Sequence, residues 1–179
     1  EYSLSFDGVE DHVVVGNVLD MSGSFSISTW VYVHESTYST VIANADDGSG
    51  NGYYLQFEND DDGGGDDGIV FTISEGSSSA RVTTPTIFNE WVHVTAVFVS
   101  EESQSSLSLY VNGTLMNTEY TSMTSHGTDG TSVILGDNCG TCGWFLDGNI
   151  DELSIWDTAL TEDQIQNIMY IAIDVKEES

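Results

Sequence analysis

Acidic residues beside turn-forming glycines are the first candidates for chemistry in this sequence. Asp7, Gly8 and Asp11 lie close together near the amino terminus, and Asp151 begins an alternating segment much later in the chain. Hard cations such as Ca²⁺ prefer carboxylate and carbonyl oxygens in segments whose glycines let the chain wrap around the ion. The alternative is that these carboxylates only accept hydrogen bonds from backbone N–H groups in turns.

Asp151 raises a particular question because of the pattern around it. In residues 150–156, Leu153 and Ile155 alternate with polar residues, so alternation predicts Asp151 on the same inward face as those two side chains. A buried carboxylate is costly unless something pairs with it. Because the chain has only two basic residues, a metal ion is one candidate partner.

A catalytic constellation is not complete anywhere in the sequence. Glycan cleavage needs two carboxylates as acid and nucleophile, but Asn149, two positions before Asp151 and on the same face by alternation, is not a carboxylate. Asp151 and Glu152 are adjacent, so strand alternation points them to opposite faces. A serine-hydrolase triad on His93 is not supported, because its same-face neighbour is Thr95 and no G-x-S-x-G elbow occurs. These absences favour a protein that is not an enzyme.

Two cysteines, Cys139 and Cys142, are separated by two residues. A lone C-x-x-C lacks the second pair of a four-cysteine zinc site. It also lacks the helix start beside a βαβ pattern that is typical of thioredoxin-like motifs. We predict a small local disulfide, which implies an oxidising, extracellular compartment. A reduced pair is the alternative.

The charge balance excludes some classes of partner. The 179 residues include 30 Asp and Glu against two basic residues, for a formal net charge of −28. Nucleic acids and anionic membranes are poor partners for such a chain, because phosphate contacts need Lys and Arg. No apolar run is long enough to insert into a membrane. Self-repulsion at low salt favours a marine or halophilic source, where salt screens the charges.

Short alternating segments separated by Gly, Asn and Asp turns predict the secondary structure. The predicted strands are 4–6, 13–15, 25–33, 41–43, 53–57, 69–73, 80–83, 92–99, 107–111, 114–117, 133–135 and 150–156. A helical signal occurs once, where Thr161 and Gln164 match a capping box. The pattern predicts an antiparallel β-sandwich or barrel. We expect one domain over residues 1–170, followed by a terminal strand or linker at 171–179.

Taken in order, several segments resemble the laminin-G-like, concanavalin A-like lectin domains of bacterial extracellular proteins. The matching pieces are 4–13, 25–31, 52–55, 91–97, Leu-Tyr-Val-Asn-Gly at 109–113, 133–136, Phe-Leu-Asp-Gly-Asn-Ile-Asp-Glu-Leu-Ser-Ile-Trp at 145–156, and 159–165. The resemblance implies an all-β, two-sheet antiparallel jelly-roll sandwich with one short C-terminal helix. It also implies a monomeric module of a larger secreted protein, such as an adhesin or a polysaccharide-active enzyme.

The resemblance also implies sites. Because the first and last core strands of such sandwiches lie near each other, Asp7 and Asp151 are expected to meet, and a structural Ca²⁺ is predicted there. Its predicted ligands are Asp7, Gly8, Asp11 and Asp151. Lectin-type sites stack sugars on exposed rings and bind hydroxyls with Asp or Asn.

Five residues are predicted to bind the ligand. They are Trp144, Tyr53, Tyr54, Asp46 and Asp47. Trp144 has the alternative role of a lid on the core. For Asp46 and Asp47, the alternative is a solvated acidic loop that they form with residues 60–67. The other three tryptophans, Trp30, Trp91 and Trp156, lie in or beside alternating strands and are predicted in the core.

These observations favour a non-catalytic binding module, extracellular or at the cell surface, that binds carbohydrate and is stabilised by calcium. The first alternative is a structural or adhesive spacer, or a protein-binding domain, of a large surface protein. The least favoured alternative is a glycan-cleaving enzyme.

Overall fold

The computed structural model describes residues 2–17, 21, 23–34, 38–45, 50–59, 67–127, 132–138 and 144–177, and no side chain is described for Ala45 or residues 171–177. The described strands are β1 (Leu4–Asp7), β2 (Val13–Gly16), β3 (Phe25–Val33), β4 (Tyr38–Ala45), β5 (Gly52–Glu58), β6 (Gly68–Glu75), β7 (Ser78–Thr84), β8 (Trp91–Val99), β9 (Ser105–Val111), β10 (Thr114–Thr121), β11 (Val133–Leu135) and β12 (Asp147–Trp156). One helix follows them, α1 (Glu162–Glu177).

The strands form two antiparallel sheets of six. Sheet A has the order β1-β12-β3-β8-β9-β10, and sheet B has the order β2-β11-β4-β5-β6-β7. Their inner faces enclose one apolar core, in which Phe25 of sheet A contacts Tyr53 of sheet B at a ring-centroid distance of 5.0 Å. Each sheet therefore also has an outer face, which points away from the core. The predicted all-β, two-sheet sandwich is confirmed.

Local turn chemistry explains the hairpin between β9 and β10. Asn112 and Gly113 both have positive φ, at 49° and 74°, which is the backbone of a type I′ turn and the reason that Asn-Gly is favoured there. The Asn112 side chain also accepts a hydrogen bond from the His93 N–H at 3.0 Å. This hydrogen bond ties the hairpin turn to β8, the strand that pairs with β9.

The outer face of sheet A is partly covered by α1. The predicted capping box is present, because the Thr161 N–H donates to Gln164 Oε1 at 2.9 Å and the Gln164 N–H donates to Thr161 Oγ1 at 3.4 Å. Ile165 then packs in a cluster with Val97 of β8. The helix continues to Glu177, so the prediction of a strand after residue 170 is wrong over 171–177. No glycine or proline follows residue 170, so no helix breaker ends the helix there.

Strand β12 lies between β1 and β3 and contains a bulge. Asp151 pairs with Trp30, but the next pair is Ser154 with Ser28, so β12 carries one extra residue. Glu152 has a φ of 53° at this point. Because an extra residue shifts the alternation, Ile150 is buried in the core while Asp151 is only half-buried. The prediction that Asp151 shares an inward face with Leu153 and Ile155 is therefore wrong.

Candidate functional site

The outer face of sheet B has a polar floor. Thr40 of β4, Gln56 of β5 and Thr72 of β6 lie on the opposite side of their strands from the core residues, yet all three are buried. Thr40 Oγ1, Gln56 Nε2 and Thr72 Oγ1 have no hydrogen-bond partner in the part of the chain that the structure describes. Buried polar groups of this kind are uncommon in native proteins and call for an explanation.

An ion pair spans this floor. Arg81 Nη2 of β7 donates to Glu58 Oε2 of β5 at 2.6 Å. Because β6 lies between these strands and Arg81 is in register with Thr72, the Arg81 side chain must cross the outer face of β6 to reach Glu58. The Glu58 side chain is almost fully buried, while that of Arg81 remains 30% exposed. The guanidinium is therefore the more accessible charge of the pair.

Aromatic side chains border the floor. Tyr54 of β5 is half-buried and in register with Thr72. Tyr38 of β4 contacts Trp144 with ring centroids 5.5 Å apart and the ring planes inclined by 35°. The Thr40 N–H donates to the Trp144 backbone oxygen at 3.1 Å, which holds this tryptophan against β4. We call the eight residues Tyr38, Thr40, Tyr54, Gln56, Glu58, Thr72, Arg81 and Trp144 the sheet B groove.

The predicted ligand-binding residues are only partly brought together here. Tyr54 and Trp144 belong to the sheet B groove. Tyr53 does not, because it is one position out of phase on β5 and lies fully buried in the core, where burial raises the pKa of its hydroxyl. The prediction that Tyr53 faces a ligand does not fit this position. Asp46 and Asp47 lie outside the described residues, as do Cys139 and Cys142, and those predictions stay predictions.

The predicted calcium ligands do not meet as expected. Asp7 is opposite Asp147 in the pairing of β1 with β12, and Asp151 lies four residues further along β12, about 13 Å away at the rise of an extended strand. Asp7 and Asp151 are therefore not neighbours. The two strands are adjacent, and it is their register that separates these two carboxylates.

The carboxylates of this region instead accept backbone hydrogen bonds. Asp7 Oδ1 accepts from the Val9 N–H at 3.0 Å, and Asp11 Oδ2 accepts from the Asp7 N–H at 3.2 Å. Asp151 Oδ1 accepts from the Glu152 N–H at 2.9 Å. Among the residues that the structure describes, no three His, Cys, Asp or Glu side chains gather as a metal site. Calcium stays a prediction.

The outer face of sheet A carries aromatic residues that the sequence pattern assigned to the core. Trp91 is 42% exposed and Trp156 is 37% exposed, while Trp30 is half-buried, and none of the three packs in the apolar core. The predicted core location is therefore wrong for all three. Their strands do alternate, but their phase places these rings outward. We call five rings on this face the aromatic strip. They are Trp30 and Tyr32 of β3, His34 just after β3, and Trp91 and His93 of β8.

His93 is the buried end of the aromatic strip. Its Nε2 lies 3.0 Å from Ser28 Oγ, and its ring meets Trp30 edge to face at 5.4 Å. Its Nδ1 has no hydrogen-bond partner among the described residues. Burial lowers the pKa of His93 to about 4, so the imidazole is neutral at neutral pH. Its surroundings are those of a packed side chain, as the sequence indicates.

The groove residues that sequence reasoning missed are Thr40, Gln56, Glu58, Thr72 and Arg81. Two signals pointed to them. Arg81 is one of two basic residues in a very acidic chain, and Gln56 and Glu58 share a face with Tyr54 by alternation. The sequence does not show that β5, β6 and β7 are adjacent, and adjacency is what joins these residues.

Comparison with known proteins agrees with this architecture. The sequence matches the concanavalin A-like lectin/glucanase superfamily over residues 7–166. No curated protein sequence matches it significantly. No helix among the described residues reaches the length and hydropathy needed to cross a lipid bilayer.

Three solved structures share the fold at low identity. The binding domain of Paraclostridial Mosquitocidal Protein 1 superposes with a TM-score of 0.73 at 16% identity, covering 96% of this chain and 44% of that one, so this chain spans less than half of that domain. Domain 4 of AbnA, an extracellular arabinanase from Geobacillus stearothermophilus, in complex with arabinotriose, gives 0.70 at 22% identity, covering 93% and 76%.

The third is the carbohydrate-binding module CBM40 of a Ruminococcus gnavus sialidase bound to α2,3-sialyllactose, with a TM-score of 0.70 at 14% identity, covering 94% of this chain and 98% of that one. At these identities the similarity concerns the fold alone. The superfamily match over most of the sequence and the two-sheet sandwich lead to the same assignment. The chain belongs to the concanavalin A-like lectin/glucanase superfamily.

Proposed function

We propose that this protein is a non-catalytic, extracellular carbohydrate-binding module whose ligand binds in the sheet B groove. The observation that carries the proposal is the row of buried polar atoms on Thr40, Gln56 and Thr72 that have no hydrogen-bond partner among the described residues. Each such group costs about 1–3 kcal/mol when it is left unsatisfied. A sugar offers hydroxyls that both donate and accept, so it can satisfy amide and hydroxyl groups together.

The other residues of the groove fit the same ligand. Tyr54, Tyr38 and Trp144 present half-buried rings, and aromatic rings cover the apolar face of a sugar while polar groups fix its orientation. Arg81 donates hydrogen bonds, and Glu58 accepts them. Because Arg81 is the exposed member of the pair, an approaching sugar meets its guanidinium first.

Structural relatives support the proposal in general terms. Two of them carry a carbohydrate, arabinotriose in one and α2,3-sialyllactose in the other. Neither fixes the sugar that this chain takes, since at these identities the similarity concerns the fold alone.

A glycan array and affinity electrophoresis test the proposal. We expect the protein to be retarded by at least one polysaccharide, and we expect Tyr54→Ala and Gln56→Ala to weaken this retardation about tenfold, the loss that 1.4 kcal/mol represents. Tyr120→Ala is the control, because Tyr120 is highly exposed on β10 of the other sheet. Retention of full binding by both groove variants would contradict the proposed site. Absence of binding to any glycan would favour a spacer or a protein-binding domain.

A structural calcium ion is the second part of the proposal. The acidic residues around Asp7 and Asp11 are its candidate ligands, together with backbone oxygens that hard cations also accept. We expect millimolar calcium to raise the melting temperature of protein first treated with EDTA, since a ligand of the folded state stabilises it. An equal concentration of magnesium is the control for general screening. An unchanged melting temperature would remove calcium from the proposal.

A further inference from the structure

We propose that the outer face of sheet A carries a second carbohydrate-binding surface, formed by Tyr32, His34 and Trp91 of the aromatic strip with Asp147 and Asn149 of β12, that takes a neutral sugar chain. The surface stands on its own geometry. Its consequence for cross-linking rests in addition on the proposed function of the sheet B groove.

The carrying observation is a repeated pairing between β3 and β12. Successive outward positions on and just after β3 hold rings, and each ring has a polar residue opposite it on β12. The pairs are Trp30 with Asp151, Tyr32 with Asn149, and His34 with Asp147. Each pair lies two positions along the strand from the next, a distance of about 6.7 Å in an extended strand. A ring beside a hydroxyl-binding group therefore recurs at regular intervals, as a ligand of repeating units requires.

The open end of the strip lies beside β8. Tyr32 pairs directly with Trp91, and their ring centroids are 6.0 Å apart. Tyr32 also meets His34 edge to face at 5.3 Å. Exposure increases from half-buried Trp30 to exposed Trp91 and His34, so a ligand reaches the Tyr32–Trp91 end first. Trp30 and His93 support this end from the buried side.

The groups on β12 offer the polar contacts. His34 Nδ1 lies 2.6 Å from Asp147 Oδ1, and the His34 N–H donates to the Asp147 backbone oxygen at 2.9 Å. This fixes the carboxylate while its other oxygen can accept. Among the described residues, Asn149 Nδ2 makes one long contact, of 3.5 Å with Ser3 Oγ, which is weak for a hydrogen bond. The amide can turn to a ligand at little cost.

Charge selects a neutral ligand. The strip and its β12 partners include two carboxylates, Asp147 and Asp151, and no Lys or Arg. The whole chain has a net charge of −28, so sialylated, sulfated and uronic-acid glycans are repelled over the range of the Debye length. Sugar hydroxyls, in contrast, donate well to carboxylates. A neutral polysaccharide is therefore the ligand class.

Two surfaces on opposite faces of one sandwich have a functional consequence. The aromatic strip and the sheet B groove lie on the outer faces of two different sheets, so one sugar chain cannot fill both without passing around an edge. A single protein molecule then links two polysaccharide chains. Binding at both faces also raises the overall avidity for a polysaccharide matrix.

Titration calorimetry and affinity electrophoresis on neutral polysaccharides (starch, arabinan, galactomannan and xylan) test the surface. We expect Trp91→Ala to reduce the number of sites from two to one and to abolish the turbidity that cross-linking produces. Trp156→Ala is the matched control, because Trp156 has similar exposure on the same sheet face but lies outside the strip. Trp91→Phe keeps an aromatic face and is expected to recover most of the binding.

Asn149→Asp is a second variant of nearly unchanged size, which guards against a folding defect in Trp91→Ala. It removes the amide donor and adds a carboxylate, so about a tenfold loss at the strip is expected. The second surface would be overturned if Trp91→Ala kept both sites and Asn149→Asp kept full affinity. It would also be overturned if Trp156→Ala lost a site as Trp91→Ala does. If instead Trp91→Ala abolished all binding and Tyr54→Ala none, the strip would stand and the sheet B groove would fall. Absence of binding by the unaltered protein would refute both.

Discussion

Mildly acidic pH is expected to destabilise this protein through one buried histidine. His93 is only 2% exposed, and its pKa is lowered by burial to about 4, whereas a histidine in an unfolded chain has a pKa of about 6.5. Between these two values the unfolded chain binds a proton that the folded protein does not. The free energy of unfolding therefore falls as the pH decreases through this window.

The size of the effect follows from the pKa difference. Each pKa unit corresponds to about 1.36 kcal/mol, so the full window represents about 3 kcal/mol, and a shift from pH 7.5 to pH 5 represents about 2 kcal/mol. For a domain of this length, about 2 kcal/mol corresponds to a fall of about 4–8 °C in melting temperature. Below the folded pKa the contribution no longer changes with pH.

Urea unfolding of His93→Gln at both pH values isolates this contribution. The carboxylates titrate in both proteins, so the difference between the unaltered protein and His93→Gln cancels them. We expect the unaltered protein to lose about 2 kcal/mol more than His93→Gln between pH 7.5 and pH 5. His12→Gln, which removes an exposed imidazole, is the control and is expected to behave as the unaltered protein. Equal pH dependence in the unaltered protein and His93→Gln would refute the reasoning.

Three further substitutions test other contacts. Arg81→Met leaves the nearly buried Glu58 carboxylate without its guanidinium, and we expect the free energy of unfolding to fall by about 2 kcal/mol, less than for a fully buried pair because Arg81 is part-exposed. Chemical denaturation measures this loss, and adding Glu58→Met is expected to restore most of it. A larger loss in the double variant would contradict this. Gly136→Ala is expected to lower the free energy of unfolding by more than about 2 kcal/mol, because Gly136 has a φ of +82° and a Cβ there would lie 2.5 Å from ring carbons of Phe6. An unchanged melting temperature would refute this clash. Thr161→Ala should cost about 1 kcal/mol by loss of the helix cap, measured by thermal melting, with Thr161→Ser as a control that keeps the hydroxyl.

Much of the fold was predictable because its signals are local. Alternation in β5 and β8, the Asn112–Gly113 turn and the Thr161 capping box each depend on residues a few positions apart. These signals predict strands, a hairpin and a helix start without knowledge of the partners. Their sum is an antiparallel sandwich, which the structure confirms.

The orientation of β12 was not predictable in the same way. The bulge at Glu152 adds one residue, and a single added residue exchanges the two faces of the strand beyond it. Nothing in the Asp151–Glu152 sequence marks the positive φ, because neither residue is glycine. The inward Asp151 followed from an alternation that the bulge interrupts. Its expected meeting with Asp7 followed instead from the resemblance, and the register of β1 with β12 keeps the two apart.

The candidate site was predictable only in its aromatic part. Tyr54 and Trp144 were chosen from the sequence because lectin-type sites stack sugars on aromatic rings. The polar floor of Thr40, Gln56 and Thr72 comes from three different strands. Which strands are adjacent depends on strand pairing, which cannot be read from the sequence. Tyr53 was assigned to the wrong side for a different reason. Alternation separates the two faces of a strand but does not show which face packs in the core.

The position of β12 between β1 and β3 also governs the order in which the protein is completed. Both neighbours of β12 lie within the first 33 residues, whereas β12 begins at Asp147. At a synthesis rate of about 5–20 residues per second, the intervening 113 residues take about 6–23 s. During this interval the edge of β3 has no β12 to pair with, and such an edge is a template for pairing with other chains. Correct folding of sheet A therefore depends on protection of a nascent edge until the last strand leaves the ribosome.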